Sequence, residues 1–319
     1  MEFTGERYIP SVSGEIKYEH LHRYALCRDF VTGKSVLDIA SGEGYGSALL
    51  AKVAESVVGV DISSDSIQYS QNRYLDYDNL SFMVGSCESI PLAPESVDIV
   101  VSFETIEHHD KHEEMMLEIK RVLKKNGILI ISSPNRLTYS DEPNYSNPYH
   151  VRELYYDELV NLLSDTFSHI KIYGQRIASA SFVFPVGNAS ELSMKSYTGD
   201  ASSLTQQVCS LESPIYYIAI CSDNESNLIL PIDSLYVEPH DDLLKVLQEN
   251  CQRSYAQLQI TESQFQQTQS ELERSQSQLQ HTQSQLQQTQ KDIVEIEKSK
   301  FWKLRNIYFK LKSCNYNNV

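Results

Sequence analysis

The chain has 319 residues, enough for one large domain or two modest ones. Its formal net charge of −16 argues against a nucleic-acid-binding protein, which would carry a basic patch. None of the six cysteines has CxxC spacing, so neither a zinc site nor a disulfide framework is predicted. The N-terminus lacks an apolar run, and no stretch approaches the ~18 apolar residues of a membrane span. These features predict a protein of the reducing cytoplasm.

Predicted strands and helices alternate over the first 133 residues. Short runs rich in β-branched residues predict five strands, at 35–39, 57–61, 80–84, 97–102 and 128–133. Helices are predicted between them, at 44–54, 63–75 and 113–123. The third helix is expected to end at Gly127. Continuous apolar strands separated by helices predict an α/β fold with a parallel sheet covered on both faces.

The segment after residue 133 continues this organisation. A Pro/Asn/Tyr-rich loop is followed by a predicted helix at 151–167 and by strands at 169–173 and 215–221, which bring the total to seven. Residues 174–214 are interpreted as loops and a lid. We therefore expect one domain, with an N-terminal cover, over residues 1–239.

Glycine and proline are absent after Pro239. Apolar residues recur every seven positions, at Leu258, Phe265, Leu272, Leu279, Leu286 and Ile293. Mostly hydroxyl-bearing residues follow three positions behind, at Thr261, Thr268, Ser275, Thr282, Thr289 and Ile296. This heptad predicts a weak coiled coil within residues 240–297, which assembles the protein with itself or with other enzymes. The alternative is a disordered Gln/Ser-rich linker.

The last segment, residues 298–319, breaks the heptad register. Residues 298–312 hold six basic residues and no acidic ones, whereas the rest of the chain has 21 basic and 43 acidic residues. If this segment is helical, its aromatic and aliphatic side chains fall on one broad arc. Such helices lie at membrane interfaces, which predicts peripheral contact with the inner face of a membrane. The alternative is that the arc packs on a protein partner.

A glycine-rich turn connects the first strand to the first of these helices. It reads Asp38-Ile-Ala-Ser-Gly42-Glu-Gly44-Tyr-Gly46, and Ser47 occupies the third glycine position of the dinucleotide motif G-x-G-x-x-G. An acid at position 38 would repel a pyrophosphate, but would attract the amino group of a methionine-like ligand. Asp61, which ends the second strand, can accept hydrogen bonds from the ribose hydroxyls of either ligand.

This pattern resembles the class I S-adenosylmethionine-dependent methyltransferases over residues ~20 to ~221. The segment "SFETIEHHDKHEEMMLEIKRVLKKNGILIISSPN" is the strongest single match, and "NPYHVRELYYDEL" resembles quinone- and sugar-modifying members. "FTGERYIP…GEIKYEHLHRY", together with a coiled coil, resembles methyltransferases of bacterial surface-polysaccharide assembly. The resemblance implies a Rossmann-like, doubly wound, mostly parallel seven-stranded sheet, with S-adenosyl-L-methionine as the cofactor.

The resemblance also implies a set of cofactor-binding residues. They are Arg23, Asp38, Ala40, Gly42, Gly44, Asp61, Ile62, Ser86, Cys87 and Phe103. Ala40 stands where the family usually has glycine, and Gly85-Ser86-Cys87 replaces a G-D-A motif whose carboxylate contacts adenine. Phe103 has an alternative interpretation as a core residue, and Arg23 as a solvated helix residue.

Methyl transfer to an alcohol requires a general base, because the hydroxyl must lose its proton as the new bond forms. The loop after the fourth strand offers Glu107, His108, His109 and His112; His108 is the predicted base and His109 the second choice. The alternative is a structural or cofactor-contact role for this Glu-His pair. No metal is predicted, because "HHDKH" lacks the i, i+4 spacing of zinc-binding helices.

Acceptor contacts are predicted at Arg7, Tyr8, His150 and Arg152, with His20 and His22 in the N-terminal cover. The sequence thus predicts an O-methyltransferase that acts on a sugar or lipid-linked glycan. Two alternatives remain open: a non-catalytic scaffold that presents the coiled coil, and a methyltransferase for a quinone or other small molecule. A dinucleotide-dependent oxidoreductase is disfavoured by Asp38 and Ser47.

Overall fold

The computed structural model of the chain describes residues 14–178, 196–200, 203–207, 211, 213–228, 234–237 and 242–316. The predicted acceptor-contact residues Arg7 and Tyr8 lie outside these ranges. The chain divides into two compact units, Met1–Leu243 and Leu244–Val319.

The first unit alternates strands and helices. Helices α1 to α5 span Glu15–Val31, Tyr45–Ala51, Ser64–Arg73, His112–Val122 and Tyr156–Ser164. Strands β1 to β9 span Ser35–Ile39, Ser56–Asp61, Leu80–Val84, Val97–Ser102, Leu123–Pro134, His169–Gln175, Ser196–Asp200, Ser203–Gln207 and Tyr216–Ser222.

Seven of these strands form one sheet in the order β3-β2-β1-β4-β5-β9-β6. Strands β1 to β5 pair in parallel, whereas β9 is antiparallel to both of its neighbours. The predicted doubly wound, mostly parallel seven-stranded sheet is therefore confirmed. The strand order reverses between β1 and β4, and in such sheets a crevice for ligands opens there at the carboxyl ends of the strands.

The sheet is buried on both faces by two hydrophobic clusters. Alternate residues of one strand enter opposite clusters, so Ile99 and Val101 lie in one and Val100 in the other. Helices α1 and α2 contribute to the first cluster, while α4 and α5 contribute to the second. This two-sided burial explains why the strands read as continuous apolar runs rather than as alternating patterns.

Two predicted helix boundaries are wrong, and one hairpin was not predicted. Helix α4 ends at Val122, and Gly127 lies inside β5, which begins earlier because Leu123 already pairs with Val97. Helix α5 begins only at Tyr156, where the Glu158 carboxylate accepts a hydrogen bond from the Tyr155 N–H. The segment interpreted as loops and a lid contains the β7–β8 hairpin.

The second unit contains two helices. Helix α6 runs over Asp242–Lys298 and α7 over Lys300–Tyr316, so the predicted break in register coincides with Ser299. The Ser299 hydroxyl accepts a hydrogen bond from the Trp302 N–H and thereby starts the second helix. The apolar heptad residues of α6 are half or more exposed in the single chain. Of the helices described, none is both long enough and apolar enough to cross a membrane.

Candidate active site

A cavity of about 430 Å³ opens at the carboxyl ends of the strands, on either side of the point where the strand order reverses. The loops after β1, β2, β3 and β4 all contribute to its wall. It is lined by nine predicted site residues, namely Ala40, Gly42, Asp61, Ile62, Ser86, Cys87, Phe103, His108 and His109. The remaining predicted residues that the structure describes, Arg23, Asp38, Gly44, His150 and Arg152, are not part of this lining.

The three glycines of the first turn serve different purposes. Gly44 has a φ of +76°, and a Cβ there would lie 2.5 Å from the Phe82 ring. A Cβ on Gly46 would overlap the ring of Tyr24. Gly42 is the glycine that lines the cavity, and its N–H donates to a carboxylate oxygen of Asp61 over 2.8 Å. Packing therefore accounts for two of the glycines, and contact with the cavity for the third.

Asp61 is held rigidly at the end of β2. One carboxylate oxygen accepts the N–H of Gly42 and the other accepts the N–H of Ser63, both over 2.8 Å. Ser63 in turn caps α3 by accepting the Ser66 N–H. Each carboxylate oxygen can accept further hydrogen bonds, so a buried and oriented acceptor faces the cavity.

Asp38 lies beneath the cavity rather than in its wall. Its carboxylate accepts the Ser47 hydroxyl over 2.6 Å and the Tyr24 hydroxyl over 3.3 Å. Burial raises the pKa of Asp38 to about 7, although the bonds from Ser47 and Tyr24 act in the opposite direction. Tyr24 does line the cavity, so it connects Asp38 to the wall. Its neighbour in the wall is Phe103, which packs edge-on against it at 5.1 Å between ring centres.

The turn also carries local backbone strain. Ala40, in the place where the family usually has glycine, has a φ of +60°. A left-handed conformation costs a residue with a Cβ roughly 1–2 kcal/mol. The strain sits at the cavity wall, where a precise loop conformation matters most for binding.

The two candidate bases differ in their hydrogen bonding. His108 Nδ1 lies 3.0 Å from the Tyr149 carbonyl oxygen and must donate to it, which leaves Nε2 unprotonated in the neutral ring. His109 has contacts at both nitrogens: Nδ1 accepts the Lys111 N–H, and Nε2 lies 3.3 Å from Cys87 Sγ. Burial, and then the neighbouring His112, lower the pKa of His109. The geometry therefore favours His108 over His109 as a proton acceptor.

Glu104 was missed by the sequence analysis, although it lines the cavity. It is the second residue after β4, with a φ of +49°, and its carboxylate lies 3.5 Å from Arg23 Nη2. Arg23 is fully buried: its Nε donates to Gln175, and its guanidinium stacks on Tyr216 at 4.4 Å. The position of Glu104 just after a central strand is the signal that could have identified it.

Tyr24, Tyr45 and Lys111 also line the cavity without having been predicted. The Tyr45 hydroxyl lies 2.8 Å from His20 Nδ1, which brings the predicted cover residue His20 into the wall. His22 instead contacts Ser234. Aromatic residues of this kind carry no motif that would separate them from core residues in the sequence.

A second group of predicted residues adjoins the cavity. The Glu107 carbonyl oxygen accepts the N–H groups of Val151 and Arg152, which brings the ring of His150 to 5.2 Å from that of His108. Glu107 itself is 1% exposed, and burial raises the pKa of its carboxyl group well above its usual range. Arg152 instead forms an ion pair at the surface, where its Nη2 lies 3.4 Å from a Glu158 carboxylate oxygen.

The cavity wall fits a methionine-derived nucleoside. Ser41 lines it, and its buried hydroxyl has no hydrogen-bond partner among the described residues. The Asp61 carboxylate is suited to a ribose diol, while Phe103 and Ile62 offer apolar surface for a base or an aliphatic chain. The fold and the wall together define a Rossmann-like domain that binds a nucleoside-containing cofactor.

Comparisons with known proteins indicate which family of cofactor-binding domains this one resembles. Residues 31–183 match the family model described as a methyltransferase domain. Rv3030 of Mycobacterium tuberculosis, named a probable S-adenosylmethionine-dependent methyltransferase, is 38% identical over 170 residues, or 52% of this chain and 60% of that protein. A protein of the same description from Mycolicibacterium smegmatis is 37% identical over 168 residues, or 51% of this chain and 63% of its own.

Among solved structures, a SAM-dependent methyltransferase from Aquifex aeolicus aligns with a TM-score of 0.43 and 17% identity, over 68% of this chain and 98% of that one. The chain spans about three fifths of the length of the mycobacterial relatives. Residues 31–183 therefore match a methyltransferase domain, and the named relatives imply S-adenosyl-L-methionine as its cofactor.

Proposed function

We propose that the protein is an S-adenosylmethionine-dependent O-methyltransferase that acts on a sugar or lipid-linked glycan. The observation that carries the proposal is one cavity lined both by Asp61, an oriented acceptor for a ribose diol, and by His108, whose Nε2 is available as a base. When bound, the cofactor supplies a methyl group on a positively charged sulfur.

The chain's own residues would hold the cofactor through complementary contacts. Asp61 accepts hydrogen bonds from the ribose hydroxyls, and Gly42 and Ser41 offer polar groups at the turn. The Tyr24 hydroxyl donates to Asp38, so the Tyr24 oxygen is left as an acceptor for the amino group of the methionine moiety. Phe103 and Ile62 exclude water from the apolar part of the ligand, which strengthens these polar contacts.

The acceptor hydroxyl loses its proton to Nε2 of His108. The Tyr149 carbonyl fixes the tautomer and orientation of the ring, as a partner of this kind does for catalytic histidines generally. Positioning the hydroxyl in line with the methyl group supplies much of the rate enhancement. The glycan as acceptor is supported by the resemblance of residues 3–24 and of the C-terminal heptads to enzymes of surface-polysaccharide assembly.

The acceptor is tested by mass analysis of surface glycan from a strain that lacks the gene. We expect the glycan to lose the mass of one methylene group per modified sugar, and complementation with the wild-type gene to restore it. Complementation with His108→Ala should fail, while His109→Ala should restore methylation at least partly. An unchanged glycan in the deletion strain would refute the acceptor class, and a quinone would be the next candidate.

For helix α6 we propose that a second copy of this chain packs on its apolar stripe, which consists of Leu258, Phe265, Leu272, Leu279, Leu286 and Ile293. Other glycan-assembly enzymes are the alternative partners. The threonines of the polar seam positions bond their own backbone: the hydroxyls of Thr261, Thr268, Thr282 and Thr289 each donate to the carbonyl four residues earlier, over 2.9 Å. Burying these satisfied hydroxyls costs little, so their methyl groups can pack in the seam.

Sedimentation analysis of the full-length protein tests this assembly. Leu272→Asp places a charge in the stripe and should shift the protein to the monomer. Ser277→Asp, on the opposite side of the same helix, is the matched control and should leave the oligomer intact. A wild-type monomer at micromolar concentration would contradict self-association.

For helix α7 we propose weak, salt-dependent contact with an anionic membrane at the cytoplasmic face. Phe301, Tyr308 and Phe309 are exposed, Phe301 by 83%, and Arg305 lies over the rings of Trp302 and Phe309 within the apolar arc. Each basic residue near an anionic surface contributes about 1 kcal/mol. Full-length protein should float with anionic liposomes at low salt, whereas a chain ending at Glu297 should not. If neither floats, a protein partner becomes the better account.

A further inference from the structure

Three side chains next to the cavity have the composition of a metal site. Glu107, His108 and His150 each offer one ligand atom, and these atoms lie within 4.8 Å of one another. No metal was predicted from the sequence, because the "HHDKH" segment lacks the spacing of a zinc-binding helix. His150 comes from a different loop, which the hydrogen bonds from Val151 and Arg152 to the Glu107 carbonyl bring into place.

Both histidines are oriented by an oxygen acceptor at Nδ1. His108 Nδ1 lies 3.0 Å from the Tyr149 carbonyl, and His150 Nδ1 lies 2.6 Å from a Glu153 carboxylate oxygen. Metal-binding histidines characteristically donate one ring N–H to a carbonyl or carboxylate, which directs the other nitrogen at the ion. Nε2 of His150 lies 3.0 Å from the Asn147 amide nitrogen, so an ion would displace that amide.

The Glu107 carboxylate provides an independent observation. It is 1% exposed, and neither of its oxygens has a hydrogen-bond partner in the described part of the chain. Buried carboxylates are costly unless they are hydrogen-bonded, paired with a charge or coordinated to a metal. Arg23 acts on Glu107 only through the longer-range field, because its guanidinium bonds Gln175 and lies nearest to Glu104.

We propose that Glu107, His108 and His150 bind a divalent transition-metal ion, with zinc as the best fit. Two imidazoles and one carboxylate suit zinc, iron or nickel, whereas magnesium prefers oxygen ligands alone. Three protein ligands leave a coordination position open, as in catalytic rather than structural zinc sites.

The role of the ion rests on the proposed function. An acceptor hydroxyl that occupies the open position has a lower pKa, so its proton leaves to bulk water before its oxygen attacks the methyl group. Nε2 of His108 then binds the ion and no longer serves as a free base. Metal binding itself does not depend on the acceptor, so it can be tested without one.

Calorimetric titration of chelator-treated, full-length protein with zinc chloride tests the site. We expect one equivalent to bind, and magnesium chloride to give no comparable isotherm. Glu107→Gln and His150→Ala should each weaken zinc binding at least 100-fold, because even outer contacts of metal ligands contribute about 10–100-fold. Glu153→Ala, which removes only the hydrogen-bond partner of His150, should weaken binding by that smaller factor.

Two controls separate this site from other zinc ligands. His169→Ala removes a histidine at the start of β6 and should leave the isotherm unchanged. Cys87→Ser tests the other nearby pair, because Cys87 Sγ lies 3.3 Å from His109 Nε2. Circular dichroism shows whether each variant is folded. If Glu107→Gln does not fold, His150→Ala provides the test.

The proposal is overturned if the wild-type protein binds no zinc, if folded His150→Ala binds it as tightly as wild type, or if Cys87→Ser abolishes binding. Titration of the same samples with S-adenosylmethionine keeps the two proposals apart. Cofactor binding without zinc binding refutes the metal site and leaves the methyltransferase proposal, with His108 as a free base, intact.

Discussion

Replacing Asp61 with alanine perturbs both the ligand and the loop that holds it. On the ligand side, the change removes two charge-assisted hydrogen bonds to the ribose diol, worth roughly 1.5–3 kcal/mol each. The affinity for S-adenosylmethionine should therefore fall at least ~30-fold, even if solvent recovers part of the loss. On the protein side, the N–H groups of Gly42 and Ser63 lose their acceptors.

Both donors are only partly buried, so each loss costs about 1 kcal/mol, which corresponds to a fall in melting temperature of roughly 2–4 °C per kcal/mol in a domain of this size. Asp61→Asn keeps one acceptor oxygen, so its affinity for S-adenosylmethionine and its melting temperature should both fall less. Asp65→Asn, at an exposed position in the first turn of α3, is the matched control; it should leave the affinity unchanged and cost at most about 1 kcal/mol of stability through the helix dipole.

Calorimetry gives the affinity and differential scanning fluorimetry the melting temperature. If the folded Asp61→Ala protein binds S-adenosylmethionine as tightly as wild type, the assignment of Asp61 to the ribose is refuted. A lower melting temperature with unchanged affinity would show that the carboxylate serves only the loop.

Three further changes test the turn and the residue beneath it. Ala40→Gly should raise the free energy of unfolding by about 0.5–1 kcal/mol in urea denaturation, because relief of the left-handed strain exceeds the entropic cost of glycine. Asp38→Asn should become more stable relative to wild type as the pH rises from about 4 to about 7, by up to a few kcal/mol. The reason is that folded Asp38, with a pKa of about 7, retains a proton that the unfolded chain has lost, so its contribution falls across this range. Gly46→Ala should displace Tyr24 and weaken cofactor binding at least 10-fold in calorimetry, about the value of one lost hydrogen bond; unchanged affinity would exclude Tyr24 from the site.

The inner strands of the sheet could be predicted because they are buried on both faces. Each then appears as a continuous apolar run, and Ser35–Ile39 and Val97–Ser102 were predicted to the residue. Boundaries set by tertiary pairing could not be predicted in this way. Leu123 could extend a helix or begin a strand, and its pairing with Val97, distant in sequence, decides between them.

The site residues that lie at or just after the carboxyl end of a strand could be predicted from the sequence. Gly42 and Asp61 both line the cavity, as their positions after β1 and at the end of β2 suggested. The sequence could not show which residues reach the cavity and which lie behind its wall. Asp38 and Arg23 lie behind the wall, because Tyr24 and Glu104 occupy the positions that face the cavity. The approach of His150 to His108 depends on a contact between two loops, and no local pattern encodes such a contact.

The measurement that most directly tests the account is equilibrium binding of the full-length protein to S-adenosylmethionine and, separately, to NAD⁺, by calorimetry. The account predicts one equivalent of S-adenosylmethionine per chain, no saturable heat with NAD⁺, and competition by S-adenosylhomocysteine. The absence of S-adenosylmethionine binding would contradict the central claim and favour a non-catalytic scaffold. Saturable binding of NAD⁺ instead would contradict it in favour of an oxidoreductase.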